Sequence, residues 1–132
     1  MMEVTPKGIL VDTSVLINLL HLRKEPVALI RELTLRGLEL AISSVNIAEL
    51  YGGMRKGEEH ATAELLSAFK WVSLTPEIAK KAGEITAARR EVGRNHSLDD
   101  MMIAATAIEH GYALLTDNRK DFEIPEIEFF LD

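Results

Sequence analysis

Short unbroken apolar runs alternate along the chain with stretches whose apolar residues recur every three or four positions. Residues 8–11 (Gly-Ile-Leu-Val), 38–43, 71–74 and 112–116 (Tyr-Ala-Leu-Leu-Thr) are the strand-like runs. The first and last lack polar alternation, as in strands covered on both faces. The intervening stretches have helical spacing. Residues 15–20 look helical, and Pro26 with Gly37 brackets a helix over 26–36 carrying Val27, Leu29, Ile30 and Leu33. Ser44 caps a predicted helix over 45–51, which Gly52-Gly53 stops. A further helix spans 58–70, and another runs from Thr75-Pro76-Glu77 to Gly93 with Ile78, Ala82 and Ile85 inward. After Ser97, a plausible N-cap, Asp100, Ile103, Ala104, Ala107 and Ile108 form one stripe that ends at Gly111. Residues 127–131 suggest a last edge strand. The pattern predicts an α/β fold: one three-layer domain over 1–132 with a mainly parallel sheet of about five strands.

In such sheets ligands sit outside the carboxyl ends of the strands. Asp12, Glu49 and Asp117 follow three different predicted strands, directly or within about one helical turn. Asp100 opens the helix that feeds the last of these strands. It also stands in line with core residues, where a carboxylate is costly unless compensated. Its bland alternative is a capping role, but Glu or Gln fills that role better, and Asp99 can serve the helix dipole alone. Two carboxylates 4 Å apart repel by roughly 4 kcal/mol at an effective dielectric near 20. An all-oxygen cluster of this kind suits Mg²⁺ or Mn²⁺, which also bind substrate phosphates and activate water for phosphodiester displacement. Thr13, Ser14 and Thr116 are placed to orient the carboxylates or the metal's waters.

Composition narrows the classes further. With no cysteine, disulfide scaffolds, thiolate metal sites and a Cys nucleophile are excluded, and a reducing cytoplasm is expected. Gln is absent while Glu, Lys and Arg are plentiful, a thermophile-like usage. The net charge of −6 argues against a surface that grips nucleic acid everywhere, but leaves room for a local basic rim. The apolar run at 8–20 carries Asp12 at its centre and no cleavage site follows, so it does not read as a signal sequence. No run reaches the roughly 18 apolar residues of a membrane span. His21, His60, His96 and His110 have no metal spacing and are expected at the surface or at helix ends.

Four segments, LVDTSVLINLL at 10–20, ISSVNIAELYGG at 42–53, DMMIAATAIEHG at 100–111 and LLTDNRKDF at 114–122, resemble the PIN domain family. The resemblance is closest to the VapC-type toxin ribonucleases of toxin–antitoxin pairs. It implies a PIN-like domain and a Mg²⁺- or Mn²⁺-dependent endoribonuclease with Asp12, Glu49 and Asp100 as core acids. Asp100, not Asp99, matches, because the family's acid stands three residues before Ile103-Ala104-Ala105. The family's fourth position falls on Asn118, which can still hold a metal water, and the neighbouring Asp117 can substitute after a small backbone shift; one of the two is expected to complete the site. The resemblance also implies an RNA substrate, a homodimer and an antitoxin that blocks the site with an inserted Arg. Arg55, Lys56, Arg89, Arg90, Arg94, Arg119 and Lys120 are the candidate RNA-guiding cations.

Three other readings compete. A PIN nuclease of RNA maturation is the nearest, and the short chain without an added zinc or RNA-binding module favours the toxin type. A degenerate PIN domain acting as a protein-binding module would explain Asn118 but not the other acids. A phosphorylation receiver needs an acidic pair after the first strand, where this chain has Asp12-Thr13.

Overall fold

The computed structural model describes residues 6–130. Four parallel strands form one sheet in the order β3-β2-β1-β4: β1 Gly8–Val11, β2 Leu40–Ser43, β3 Lys70–Val72 and β4 Tyr112–Leu115. Parallel neighbours need crossovers, and helices supply them all. The helices are α1 Thr13–Leu20, α2 Lys24–Leu35, α3 Ser44–Gly52, α4 Glu59–Ser67, α5 Pro76–Glu91 and α6 Leu98–His110.

Successive strand residues point to opposite faces, and both faces are covered. Ile9, Val11, Ile42 and Leu115 pack with Val15, Leu16 and Leu19 of α1, Leu33 of α2, Leu50 of α3 and Leu66 of α4. Leu10, Ala41, Val72 and Leu114 face the other way, onto Ile78 and Ala82 of α5 and Ile103, Ala104 and Ala107 of α6. Three layers result, as the apolar strands required. The alanines of α5 and α6 let those two helices approach closely.

Several boundaries depart from expectation. Helix α2 starts at Lys24, because Pro26 in its first turn lacks an N–H that would have no intrahelical acceptor there anyway. The N-cap of α3 is Ser43, not Ser44; Ser44 instead accepts from the Leu74 N–H at 3.1 Å and donates to the Val72 carbonyl, tying α3 to the end of β3. Helix α4 ends at Ser67, short of residue 70, and β3 begins there. Among the described residues the sheet has four strands rather than about five. The expected edge strand at 127–131 is one parallel bridge, Leu114 with Phe129, and residue 131 lies outside the described residues.

The end of α6 and the start of β1 each need glycine. Gly111 caps α6 in the left-handed region at φ 67°, and the chain turns into β4 at once. Gly8 lies in the sheet where a Cβ would meet the Glu39 carbonyl oxygen at 2.7 Å and Tyr112 Cε1 at 3.0 Å. Since that oxygen is backbone, it moves only with β2. Gly8→Ala is therefore expected to cost about 1–3 kcal/mol, the range for overpacking, read as a lower midpoint in denaturant at unchanged slope.

Candidate active site

Each strand of the β2-β1-β4 trio delivers a polar residue to the carboxyl edge. Asp12 follows β1, and its N–H still donates to the Leu115 carbonyl at 2.9 Å, so it stays in register beside Thr116. Asp12 occupies the N-cap position of α1 but makes no side-chain capping bond. Its carboxylate is left for the site. Only 5% of the residue is exposed, and its oxygens accept from Thr116 Oγ1 at 2.8 Å, Ser14 Oγ at 3.1 Å and, more weakly, Asn46 Nδ2 at 3.5 Å.

Asn46 is wholly buried and completes a capping box with Ser43: its Oδ1 accepts from the Ser43 N–H and hydroxyl, while its N–H donates to Ser43 Oγ. That pins the amide so that Nδ2 reaches Thr13 Oγ1 at 3.0 Å. Thr13 passes the chain onward, donating to Glu49 Oε1 at 2.7 Å. Asn46 and Glu49 are three residues apart on α3 and share a face.

At the start of α6, Ser97 accepts from the Asp100 N–H, which sets the first turn. Carboxylate oxygens of Glu49, Asp99 and Asp100 then lie within 4.8 Å of one another. Three acids at that spacing conflict. Burial pushes the Glu49 carboxyl up to about 7, helped by a hydrogen bond with Asp99 and by the charges of Asp99 and Asp12. Glu49 holds the shared proton because it is the less exposed partner, and that bond pulls Asp99 below the usual carboxylate range. Asp100 is raised, first by burial and then by the charges of Asp99, Asp121 and Asp12. The donor set is hard oxygen throughout, and it fits Mg²⁺ or Mn²⁺. A divalent cation here would relieve the repulsion that the proton now relieves.

Of the residues singled out from sequence, Asp12, Thr13, Ser14, Glu49, Asp100 and Thr116 converge. Asp117 does not join the three-acid group: it is exposed, its Oδ2 accepts from Asn18 Nδ2 at 2.9 Å and its N–H donates to Ser14 Oγ at 3.1 Å. Asn118 contributes its N–H to Thr116 Oγ1 at 2.9 Å, and its exposed side chain makes no hydrogen bond among the described residues. The cations divide. Arg94 and Lys120 share a pocket with Asp100, Arg119 lines one with Asp117, and Arg55 one with Glu49. Lys56 and Arg90 are exposed, and Arg89 is spent on the Glu123 carbonyl at 3.1 Å.

Sequence reading missed Asn46, Asp99 and Asn18. The Ser43-x-x-Asn46 spacing announces a capping box, and Asn46 precedes Glu49 by one helical turn, so that signal was present. The spacing assigns Asp99 only a dipole role, because it carries no signal of how near Glu49 of α3 comes to the start of α6.

The model for the PIN domain matches residues 9–126, and the chain belongs to the PIN domain family. Its likeness is to the VapC members: Ribonuclease VapC19 of Mycobacterium tuberculosis is 37% identical over 124 residues, covering 90% of this chain and 96% of that protein. Among solved structures, VapBC2 from Rickettsia felis bound to a promoter DNA fragment superposes with a TM-score of 0.80 at 25% identity. It covers 94% of this chain and 98% of its counterpart. DNA-bound VapBC from Salmonella typhimurium gives 0.80 at 26% identity over 93% and 96% of the two chains.

The raised Glu49 carboxyl has a direct consequence for stability. A carboxyl whose folded pKa lies above its unfolded value of about 4.5 favours folding only while protonated. Metal-free protein is thus expected to lose stability as pH rises from about 4.5 through about 7. Glu49→Gln should flatten that decline, measured as Tm against pH in EDTA; an unchanged profile would contradict the assignment.

Proposed function

We propose that the chain is a metal-dependent endoribonuclease and the toxin of a VapBC-type toxin–antitoxin pair. The observation that carries this is the gathering of Glu49, Asp99 and Asp100 at the carboxyl edge of a PIN sheet, with Asp12 joined to Glu49 through Asn46 and Thr13 and no cation paired to any of these acids among the described residues. Glu49, Asp99 and Asp100 would hold Mg²⁺ or Mn²⁺, with Asp12 against the same site. When bound, the metal supplies a water acidified for in-line attack on phosphorus and charge neutralisation for the leaving oxygen. Thr116, Ser14 and Asn46 fix the Asp12 carboxylate, and Thr13 orients Glu49 while handing on the Asn46 contact. Asn18 and Ser14 hold Asp117 at the rim, where it would serve in the family's fourth position in place of Asn118.

The VapBC resemblance supports a cognate antitoxin and a homodimer, and the location consistent with this reading is the cytoplasm. No helix among the described residues is long and apolar enough to cross a membrane. A degenerate binding module is disfavoured, because acids held together without a cation only cost stability. RNA maturation would use the same chemistry, and the VapC relatives favour the toxin.

Two experiments test the reading. A pool of structured RNAs should be cut specifically with Mg²⁺ or Mn²⁺ and not with EDTA. Asp12→Asn and Asp100→Asn should abolish the cuts, and Asn46→Ala should reduce them about 10–100-fold, as for a residue orienting ligands. Loss in EDTA together with survival in Asp12→Asn would contradict the site. In the second, Mn²⁺ at a hundredfold excess over its Kd should stabilise the protein by about 2.7 kcal/mol in thermal unfolding. Asp99→Asn should shrink that gain; a full response would return Asp99 to a capping role alone.

A further inference from the structure

Beside the acid cluster lies a pocket of about 370 Å³, lined by Arg94, Asn95, His96, Asp100, Lys120 and Asp121 among others. It has the size of a small-ligand site. Asp100 belongs both to its wall and to the acid cluster, so an occupant of the pocket is adjacent to the proposed metal site. Two cations line it, and neither Arg94 nor Lys120 has an acidic partner within 4.0 Å among the described residues. Three basic side chains elsewhere are committed instead: Lys70 to Glu39 at 3.3 Å, Lys81 to Glu109 at 3.5 Å and Arg89 to the Glu123 carbonyl. In a chain of net charge −6, Arg94 and Lys120 come together on one pocket wall facing Asp100 and Asp121.

The third wall is His96. A carbonyl only accepts, so His96 Nδ1–H donates to the Asp121 carbonyl at 3.1 Å and the ring is held in one orientation. A fixed imidazole presents a flat face, the kind of surface on which an unpaired base stacks. The Asn95 amide beside it carries both donors and an acceptor for a base edge. Phosphate, base and an adjacent scissile linkage thus each have a counterpart.

We propose that this pocket is the subsite for the nucleotide next to the cleaved linkage of a single-stranded RNA. Arg94 and Lys120 hold its phosphate, and His96 stacks on its base. The inference rests on the ribonuclease reading above and adds to it which residues grip the strand. It also selects among the seven candidate cations: Arg94 and Lys120 carry this contact, and Arg89 does not. Asp100 and Asp121 repel the phosphate from their side of the pocket and confine it to the cationic side.

The test uses the full chain carrying Asp12→Asn, which binds without cutting, and a short single-stranded RNA of randomised sequence followed by fluorescence anisotropy over a salt series. Arg94→Ala and Lys120→Ala should each weaken binding about three- to tenfold and lower the slope of log K against log salt by about 0.7, the value for one single-strand phosphate contact. Arg94→Lys and Lys120→Arg should restore the slope. His96→Ala should weaken binding about fivefold or more with the slope unchanged, as loss of stacking requires. Arg31→Ala on α2, outside the pocket, is the control and should leave both quantities as they are. If the parent binds RNA and the pocket variants bind it equally well, the subsite is wrong while the nuclease reading stands. Variants that bind RNA normally but release the antitoxin would give the pocket to the protein partner and overturn the RNA assignment. A parent that binds no RNA at all would overturn both.

Discussion

Among the described residues, Asp12 is the only charged side chain that is buried, and the carboxyl edge of the sheet is arranged around keeping it so. An unpaired buried carboxylate costs several kcal/mol unless donors or a counter-ion replace its water. Here the donors come from three places in the chain: Ser14 on α1, Asn46 on α3 and Thr116 past β4. The capping box that starts α3 also aims Asn46, so one set of hydrogen bonds both begins a helix and solvates a charge. The same network extends through Thr13 to Glu49, the acid whose carboxyl burial and Asp99 push up to about 7.

The two ends of the sheet treat acids in opposite ways. Near the start of β4, Tyr112 donates its hydroxyl to Glu39 at 2.7 Å, and Lys70 of β3 completes the contact. The Tyr112 bond, aided by Lys70, holds Glu39 below the usual carboxylate range, and burial with that bond pushes Tyr112 up to about 12. That acid is neutralised from within. At the carboxyl edge the acids are instead left to one another, one proton and a few neutral donors. This asymmetry separates a structural end from a chemical end more clearly than either cluster does alone.

How far this was readable beforehand depended on whether a signal was local. The apolar runs at 8–11 and 112–116 became two covered central strands, and Ser97 and Gly111 became the two caps of α6, because each is decided within a turn or two of chain. The convergence of Asp12, Glu49 and Asp100 at one edge follows from a topological rule, that strand ends gather there. What that rule cannot supply is contact between helices. The approach of α3 to α6 brings Asp99 to Glu49, and the turn after Thr116 sends Asp117 toward Asn18 rather than inward. The fifth strand failed for a related reason: residues 127–131 have strand composition, yet among the described residues they pair with β4 through one bridge, in which Leu114 donates to the Glu128 carbonyl and accepts from the Phe130 N–H.

Strand β1 is hydrogen-bonded to β2 on one side and to β4 on the other, and β4 begins at Tyr112. Although β1 precedes the other three strands in the chain, it is therefore completed as part of the sheet only once β4 has been made. Until the segment from Leu98 to Thr116 has emerged, Asp12 lacks the Thr116 hydroxyl and Glu49 lacks both acids of α6. A chain still in synthesis, or one released early by a premature stop, has half a site and an open strand edge. For a protein proposed to cut RNA, this ordering delays reactivity until the chain has been made through Thr116.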